Sequence, residues 1–160
     1  MAASRLRGKA LPPGGKRSDA PGTAIHLPSL PETMAHIAVK TDLPSIGLPF
    51  SWGVRWDRLV FVAGQGPLGK DGNVVSGDIR LETRLTLENF RKVVEAAGSD
   101  LAHVLSTTVY LGDLADFAGM NEVYAEFFRA EPRPARATIR ADLLFEMKVE
   151  IQGVAAVGNR

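Results

Sequence analysis

The stretch VRWDRLVFVA, residues 54–63, decides the fold. It contains two short runs of β-branched and aromatic residues, Val54–Trp56 and Leu59–Ala63, separated by one polar pair. Two such runs joined by two polar residues are typical of a β-hairpin. The motif GQGP at residues 64–67 then ends the second strand as a turn, because a phosphate loop would carry Gly-Lys-Ser/Thr and lead into a helix.

Two helices are predicted downstream of the hairpin. In the first, over residues 79–97, apolar side chains recur every three or four positions, with Asp78 as the N-cap and Gly98 directly after the end. The second has an apolar face of the same spacing over residues 117–127, with Asp113 or Asp116 as its cap.

Three further strands complete the pattern, at His103–Leu111, Ala137–Ala141 and Glu146–Val157. In the last of these, apolar and polar residues alternate, so Glu150 and Gln152 share a polar face. The order ββ-α-β-α-ββ predicts an α+β fold in which two helices pack on one face of a mixed sheet.

Residues 1–33 differ from the rest of the chain. They contain half of the ten prolines, several glycines and an excess of basic residues, without apolar periodicity. Such a segment cannot bury enough surface to offset its ordering entropy, so we expect a disordered basic extension. A transit peptide and an extension upstream of a natural start at Met34 are both open. The expected domain spans residues 34–160.

Composition excludes several classes of protein. The chain has no cysteine, which excludes disulfides, thiolate metal sites and a cysteine nucleophile and fits a reducing, cytoplasmic setting. Its three histidines and scattered carboxylates do not predict a metal site. No apolar run is long enough to cross a bilayer. Outside the basic extension the chain is slightly acidic, which gives no electrostatic reason to bind nucleic acid.

A few polar residues are candidates for chemistry. Arg136 opens a predicted strand, and its planar guanidinium could hold a carboxylate through two parallel hydrogen bonds. Glu150 is suited to orient or deprotonate a water molecule. Taken singly, each is more often a solvated surface residue, as is Asn121 on the second helix. His103 and Trp52 are interpreted as structural residues.

Several segments, taken together, resemble the RidA/YjgF family of reactive-intermediate deaminases. Each is a weak signal alone, but the ordered set over about residues 36–157 is specific. The segments are Pro44–Gly47, Pro49–Ser51, Leu59–Leu68, Thr83–Gly98, Thr107–Leu111, Asp116–Phe117, Asn121–Tyr124, Phe127–Phe128, Pro134–Ala137 and Val149–Ile151.

The resemblance implies a chorismate-mutase-like α+β fold and a homotrimer with three clefts between subunits. It implies hydrolysis of enamines and imines, of the 2-aminoacrylate or 2-iminobutanoate type, to 2-keto acids and ammonia without a cofactor. A non-catalytic trimer that binds small carboxylates, as a sensor or chaperone, is the alternative. RNA cleavage, also associated with this family, is disfavoured by the charge of the domain.

The resemblance also assigns residues. Arg136 matches the arginine that binds the substrate carboxylate, Glu150 the acidic residue that positions the attacking water, and Asn121 an asparagine near the cleft. Phe50 stands where the family commonly has tyrosine, and Ala63 where it commonly has serine. The implied substrate-binding set of Arg136, Asn121, Phe50 and Ala63 therefore lacks two hydroxyls, so the site would bind less well or bind a less polar substrate.

Overall fold

Six strands and two helices are found in residues 35–158, which are the residues that the computed structural model describes. The helices are α1 (Ile79–Ala96) and α2 (Phe117–Phe127), and short 3-10 turns occur at Leu101–His103, Leu114–Asp116 and Leu144–Glu146. The strands are β1 (Ile37–Ala38), β2 (Gly53–Trp56), β3 (Leu59–Gln65), β4 (Val104–Leu111), β5 (Ala135–Arg140) and β6 (Val149–Ala156).

All six strands form one mixed sheet in the order β1-β2-β3-β6-β4-β5. The last strand, β6, lies between β3 and β4 and runs antiparallel to both. The edge strand β5 runs parallel to β4, and α2 forms the connection between them. The predicted α+β class and mixed sheet are confirmed.

Both helices cover the same face of the sheet, which we call the helix face. Helix α1 contacts β3, β6 and α2. Strand residues that point toward the helices, including Val60, Val109 and Ile151, are fully buried, as is Phe90 on α1. Phe90 packs directly over Gly153 of β6, where a Cβ atom would come within 3.0 Å of the ring. The other face, which we call the open face, carries the alternate residues of each strand.

The hairpin and the helix α1, both predicted from local sequence signals, are confirmed. Strands β2 and β3 pair in an antiparallel register, with Asp57 of the connecting turn at a positive φ of 52°. The Leu81 N–H donates to Asp78 Oδ1 at 2.8 Å, so Asp78 caps α1 as expected. Gly98 adopts a φ of 85°, the left-handed conformation that ends many helices.

Other boundaries differ from the predictions. Strand β6 begins at Val149 rather than Glu146, because Leu144–Glu146 forms a 3-10 turn. Strand β5 spans Ala135–Arg140 rather than Ala137–Ala141. Asp116 makes no side-chain cap to α2, whereas Asp113 caps the preceding 3-10 turn. The expected extension, residues 1–33, lies outside the described residues.

Candidate active site

A cavity of about 310 Å³ opens beside the ends of β3 and β6. Its apolar wall is large and comes from three separate segments of the chain. Among the residues that line it, Glu150 is the sole ionisable side chain. The apolar side chains are Ile46, Leu48, Phe50, Trp52, Ala63, Leu68, Leu144, Phe145 and Met147. A largely apolar pocket with one placed polar group is the usual form of a small-molecule site.

Two glycines on β3 and just beyond it allow this cavity to form. A Cβ atom on Gly64 would overlap the Glu150 carboxylate, and one on Gly66 would overlap the Met147 sulfur. The Asn89 side chain on α1 donates to the carbonyls of Gly66 at 3.1 Å and Leu68 at 3.0 Å. Since Asn89 is buried, these two bonds fix the turn that forms this wall.

Glu150 lies on the open face, paired in register with Tyr110 of β4. Its side chain is half-buried, and desolvation raises the pKa of its carboxyl above the ordinary value for glutamate. A carboxylate in apolar surroundings is a stronger base than one in water, because burial penalises the charged form. The position therefore suits Glu150 to accept a proton.

The segment that leads into Glu150 is held by a residue that the sequence did not single out. Glu82 on α1 is fully buried and accepts hydrogen bonds from the Lys148 N–H at 2.8 Å and the Gly77 N–H at 3.1 Å. The Lys148 ammonium lies 3.6 Å from the same carboxylate. Glu82 thus ties the start of β6 to α1. An acidic residue in the first turn of a helix was its only visible signal.

Phe50 and Ala63 both line the cavity, as the resemblance implied for the positions they occupy. The Phe50 ring packs edge-on against Trp52, with 5.0 Å between the ring centroids. Neither residue offers a hydroxyl, so this part of the wall is apolar. Trp52 contacts the core and also lines the cavity, which combines the structural interpretation with a role at the site.

Arg136 lies elsewhere, on the edge strand β5. It is paired with Thr107 of β4, so its side chain shares the helix face with Thr107 rather than the open face with Glu150. The guanidinium carbon lies 4.5 Å from the centroid of the Tyr124 ring and 5.9 Å from that of Phe117, both on α2. These contacts orient an exposed guanidinium that forms no salt bridge with any described residue.

The Tyr124 ring that contacts Arg136 is held in place by a hydrogen bond to Thr107. The hydroxyls of Tyr124 and Thr107 are 2.7 Å apart in the buried interior. Burial raises the pKa of Tyr124, against smaller lowering effects of Thr107 and Arg136, so the phenol stays neutral. Asn121 is exposed on α2, one turn after Phe117 and one turn before Tyr124. It therefore belongs to the same helix stripe as the two rings.

The predicted site residues thus fall into two groups. Phe50, Ala63 and Glu150 meet at the cavity, and we call them the cavity group. Arg136 and Asn121 form an edge group near β5 and α2. Strand β4 lies between β5 and β6, and Arg136 and Glu150 point to opposite faces of the sheet. One chain by itself does not bring these two side chains together.

His103 lies in an exposed turn outside the cavity. The His103 ring Nδ1 lies 2.8 Å from Asp100 Oδ1, and the hydrogen bond lowers the pKa of Asp100. This exposed pair caps a 3-10 turn, in line with a structural interpretation.

Within residues 35–158 no cluster of three or more His, Cys, Asp or Glu side chains could hold a metal ion. None of the helices described there is long and apolar enough to cross a membrane.

Comparison with known proteins places these features in a class. The sequence model described as Endoribonuclease L-PSP matches residues 41–157. A RutC family protein of Pyrococcus horikoshii is 44% identical over 109 residues, which are 67% of this chain and 86% of that protein. The chloroplastic Reactive Intermediate Deaminase A of Arabidopsis thaliana is 38% identical over 111 residues, 68% of this chain and 59% of that protein.

The fold agrees with this class. The crystal structure of E. coli TdcF with bound serine superposes with a TM-score of 0.70 at 32% identity, covering 76% of this chain and 99% of TdcF. The described domain is therefore a Rid-type α+β domain. The chain belongs to the RidA/YjgF family, as the ordered sequence motifs indicated.

Proposed function

We propose that the protein hydrolyses reactive 2-imino acids, and the enamines in equilibrium with them, to 2-keto acids and ammonia. The observation that carries the proposal is Glu150, a half-buried carboxylate with a raised pKa in an otherwise apolar cavity. Perturbed titratable groups in clefts are frequent at catalytic sites. Membership of the RidA/YjgF family adds support from an independent direction.

The reaction needs no redox partner. Glu150 removes a proton from water as the water oxygen bonds to the carbon of the protonated imine, and the C=N π electrons move to the nitrogen and neutralise it. The resulting carbinolamine takes up a proton on nitrogen, the C–N bond breaks, and the second proton of the former water is lost as C=O forms. The products are one 2-keto acid and one ammonia. A positioned general base typically contributes about 10²–10⁴-fold to such a step.

We further propose that the edge group binds the carboxylate of the substrate and does so from a neighbouring subunit. Arg136 is exposed, oriented by two rings, and forms no salt bridge with a described carboxylate. A heterologous contact that sets the edge group of one subunit against the cavity group of the next closes into a ring under threefold symmetry. A homotrimer with three such sites unites Arg136 and Glu150.

The open face supports assembly as well. Phe61 of β3 and Ile139 of β5 lie on this face with 46% and 49% of their surface exposed. Exposed apolar side chains on a sheet face are typical of an interaction surface. A trimer would cover them, and a monomer by light scattering at micromolar concentration would argue against the shared site.

Non-catalytic binding of small carboxylates is the second candidate function. The apolar residues at positions 50 and 63 favour it, because a site with fewer hydroxyls has fewer groups to activate or orient water. Turnover of freshly generated 2-iminobutanoate, compared with equilibrium binding of 2-ketobutyrate, separates the two. Acceleration above the spontaneous rate supports the hydrolase, whereas binding without acceleration supports the carboxylate-binding protein.

A further inference from the structure

The wall of the cavity contains an unusual turn. Phe145 and Glu146 are consecutive non-glycine residues at positive φ, 57° and 56°. Bulky residues rarely adopt this left-handed region, and such conformations persist where the surroundings hold them. The turn is closed by the Met147 N–H, which donates to the Leu144 carbonyl at 3.3 Å.

This turn presents apolar side chains to the cavity rather than to the core. Leu144 and Phe145 line the cavity but stay 66% and 60% exposed. Two large apolar side chains held in solvent by a strained turn gain little for the fold, since neither buries much surface. They would bury it if a ligand with an apolar body entered the cavity.

Other apolar side chains of the cavity wall are also partly exposed. Leu48 and Phe50, which line the same cavity from a separate segment, are 45% and 46% exposed. Apart from Glu150, the lining side chains carry no charge. The volume of about 310 Å³ falls within the range of about 300–1,000 Å³ typical of pockets for drug-sized ligands, so a substrate larger than a three-carbon imino acid has room.

From these observations we propose that the site selects 2-imino acids with a large apolar side chain, branched aliphatic or aromatic, over small ones. The inference rests on the proposed function for the reacting end of the substrate. The Leu144–Phe145 turn and the Leu48–Phe50 wall receive the side chain, while Glu150 faces the imine carbon. Each methylene accommodated in an apolar pocket changes kcat/KM by about tenfold or more.

The test compares side chains of increasing size on the full chain. Imines are generated freshly by an amino-acid oxidase from alanine, leucine and phenylalanine, and kcat/KM is measured for each. Binding of the stable products pyruvate, 4-methyl-2-oxopentanoate and phenylpyruvate is measured in parallel. We expect kcat/KM and affinity at least about tenfold higher for the two larger compounds than for the alanine-derived one.

A double substitution assigns the preference to the turn. Leu144→Ala with Phe145→Asn removes the apolar surface, and asparagine tolerates the left-handed conformation better than most residues. We expect it to lower affinity for 4-methyl-2-oxopentanoate and phenylpyruvate about tenfold, with little change for pyruvate. Ile37→Ala, at a residue of β1 that is 64% exposed and outside the cavity, serves as the control and should change neither.

The outcomes are distinguishable. Equal or better binding of pyruvate than of the larger 2-keto acids overturns the inference, whatever the turnover. An unchanged size preference in the double variant overturns the role of the turn. Preferential binding of the larger acids without turnover of any imine supports the apolar selection and rejects the proposed hydrolysis instead.

Discussion

On the helix face of the sheet Val60, Val109 and Ile151 are fully buried, whereas on the open face Phe61 and Ile139 remain about half exposed. The pleat of each strand separates these two sets, since alternate side chains point to opposite faces. The helix face completes its packing within one chain. The open face carries Glu150 and the cavity and leaves apolar surface for contacts beyond the chain. The difference indicates that the helix face stabilises the domain, whereas the open face carries the cavity of the proposed site.

The largest expected effect falls on the helix face. Phe90→Ala removes a fully buried ring above Gly153 and should lower the free energy of unfolding by about 3–5 kcal/mol. Phe61→Ala is the matched control on the open face. It should weaken the proposed trimer, so that its loss of stability varies with protein concentration, unlike that of Phe90→Ala. Denaturant titrations at several protein concentrations check both, and equal losses at every concentration would remove the distinction between the faces.

Glu150→Gln tests the open face. It should reduce kcat for imine hydrolysis by roughly 10²–10⁴-fold while binding of 2-keto acids persists, because the amide cannot accept the proton. In the parent protein kcat/KM should fall as pH drops through a pKa above that of an ordinary glutamate, since only the ionised form is a base. In Glu150→Gln, kcat/KM should not show this decrease at low pH. Glu95→Gln on α1 is the control, and a parental rate in Glu150→Gln would exclude Glu150 as the base.

Arg136→Lys keeps the charge of the edge group but removes the planar guanidinium that can form two parallel hydrogen bonds. We expect a loss of about 10–100-fold in kcat/KM, equivalent to about 1.5–3 kcal/mol, with unfolding unchanged. Arg140→Lys, on the same strand and the same face, should leave kcat/KM unaltered. If both substitutions behave like the parent in turnover and 2-keto acid binding, the carboxylate is bound elsewhere.

The smallest effect is the pH dependence of stability. The pKa of Glu150 is raised in the folded state, so folding binds its proton more tightly and the charged form costs stability above the raised pKa. Glu150→Gln should therefore be slightly more stable than the parent at neutral pH. The advantage should shrink as pH falls through the raised pKa toward the ordinary value. Unfolding curves between pH 4 and 7 measure it, and an advantage that grows on acidification would contradict the sign.

The sequence predicted the parts of the fold that local signals encode. The Asp57-Arg58 turn and the Asp78 and Gly98 caps depend on nearby residues alone, and the structure confirms them. Strand β1 was not predicted, because two residues at a sheet edge carry no period. The turn at Phe145 and Glu146 was not predicted, and Glu146 was assigned to a strand, because no glycine or asparagine indicates a left-handed conformation there.

The site was predictable only in part. Phe50, Ala63 and Glu150 line one cavity, and their role at a substrate site stays a prediction. Arg136 lies on the helix face because it pairs with Thr107. Tertiary packing between distant segments sets this register, so the sequence near Arg136 does not predict it. The same holds for Leu144 and Phe145, whose place in the wall follows from the turn rather than from their own sequence pattern.

If each working site combines Arg136 of one subunit with Glu150 of another, mixing two inactive variants should restore activity. Arg136→Lys and Glu150→Gln proteins are each assayed alone, then dissociated together, reassembled in equal amounts and assayed again at the same total concentration. With random assembly of a cyclic trimer about one quarter of the sites regain both native side chains. We expect kcat/KM near one quarter of the parental value, well above either variant alone. Activity that stays at the mean of the two variants, with exchange of subunits demonstrated, would contradict it.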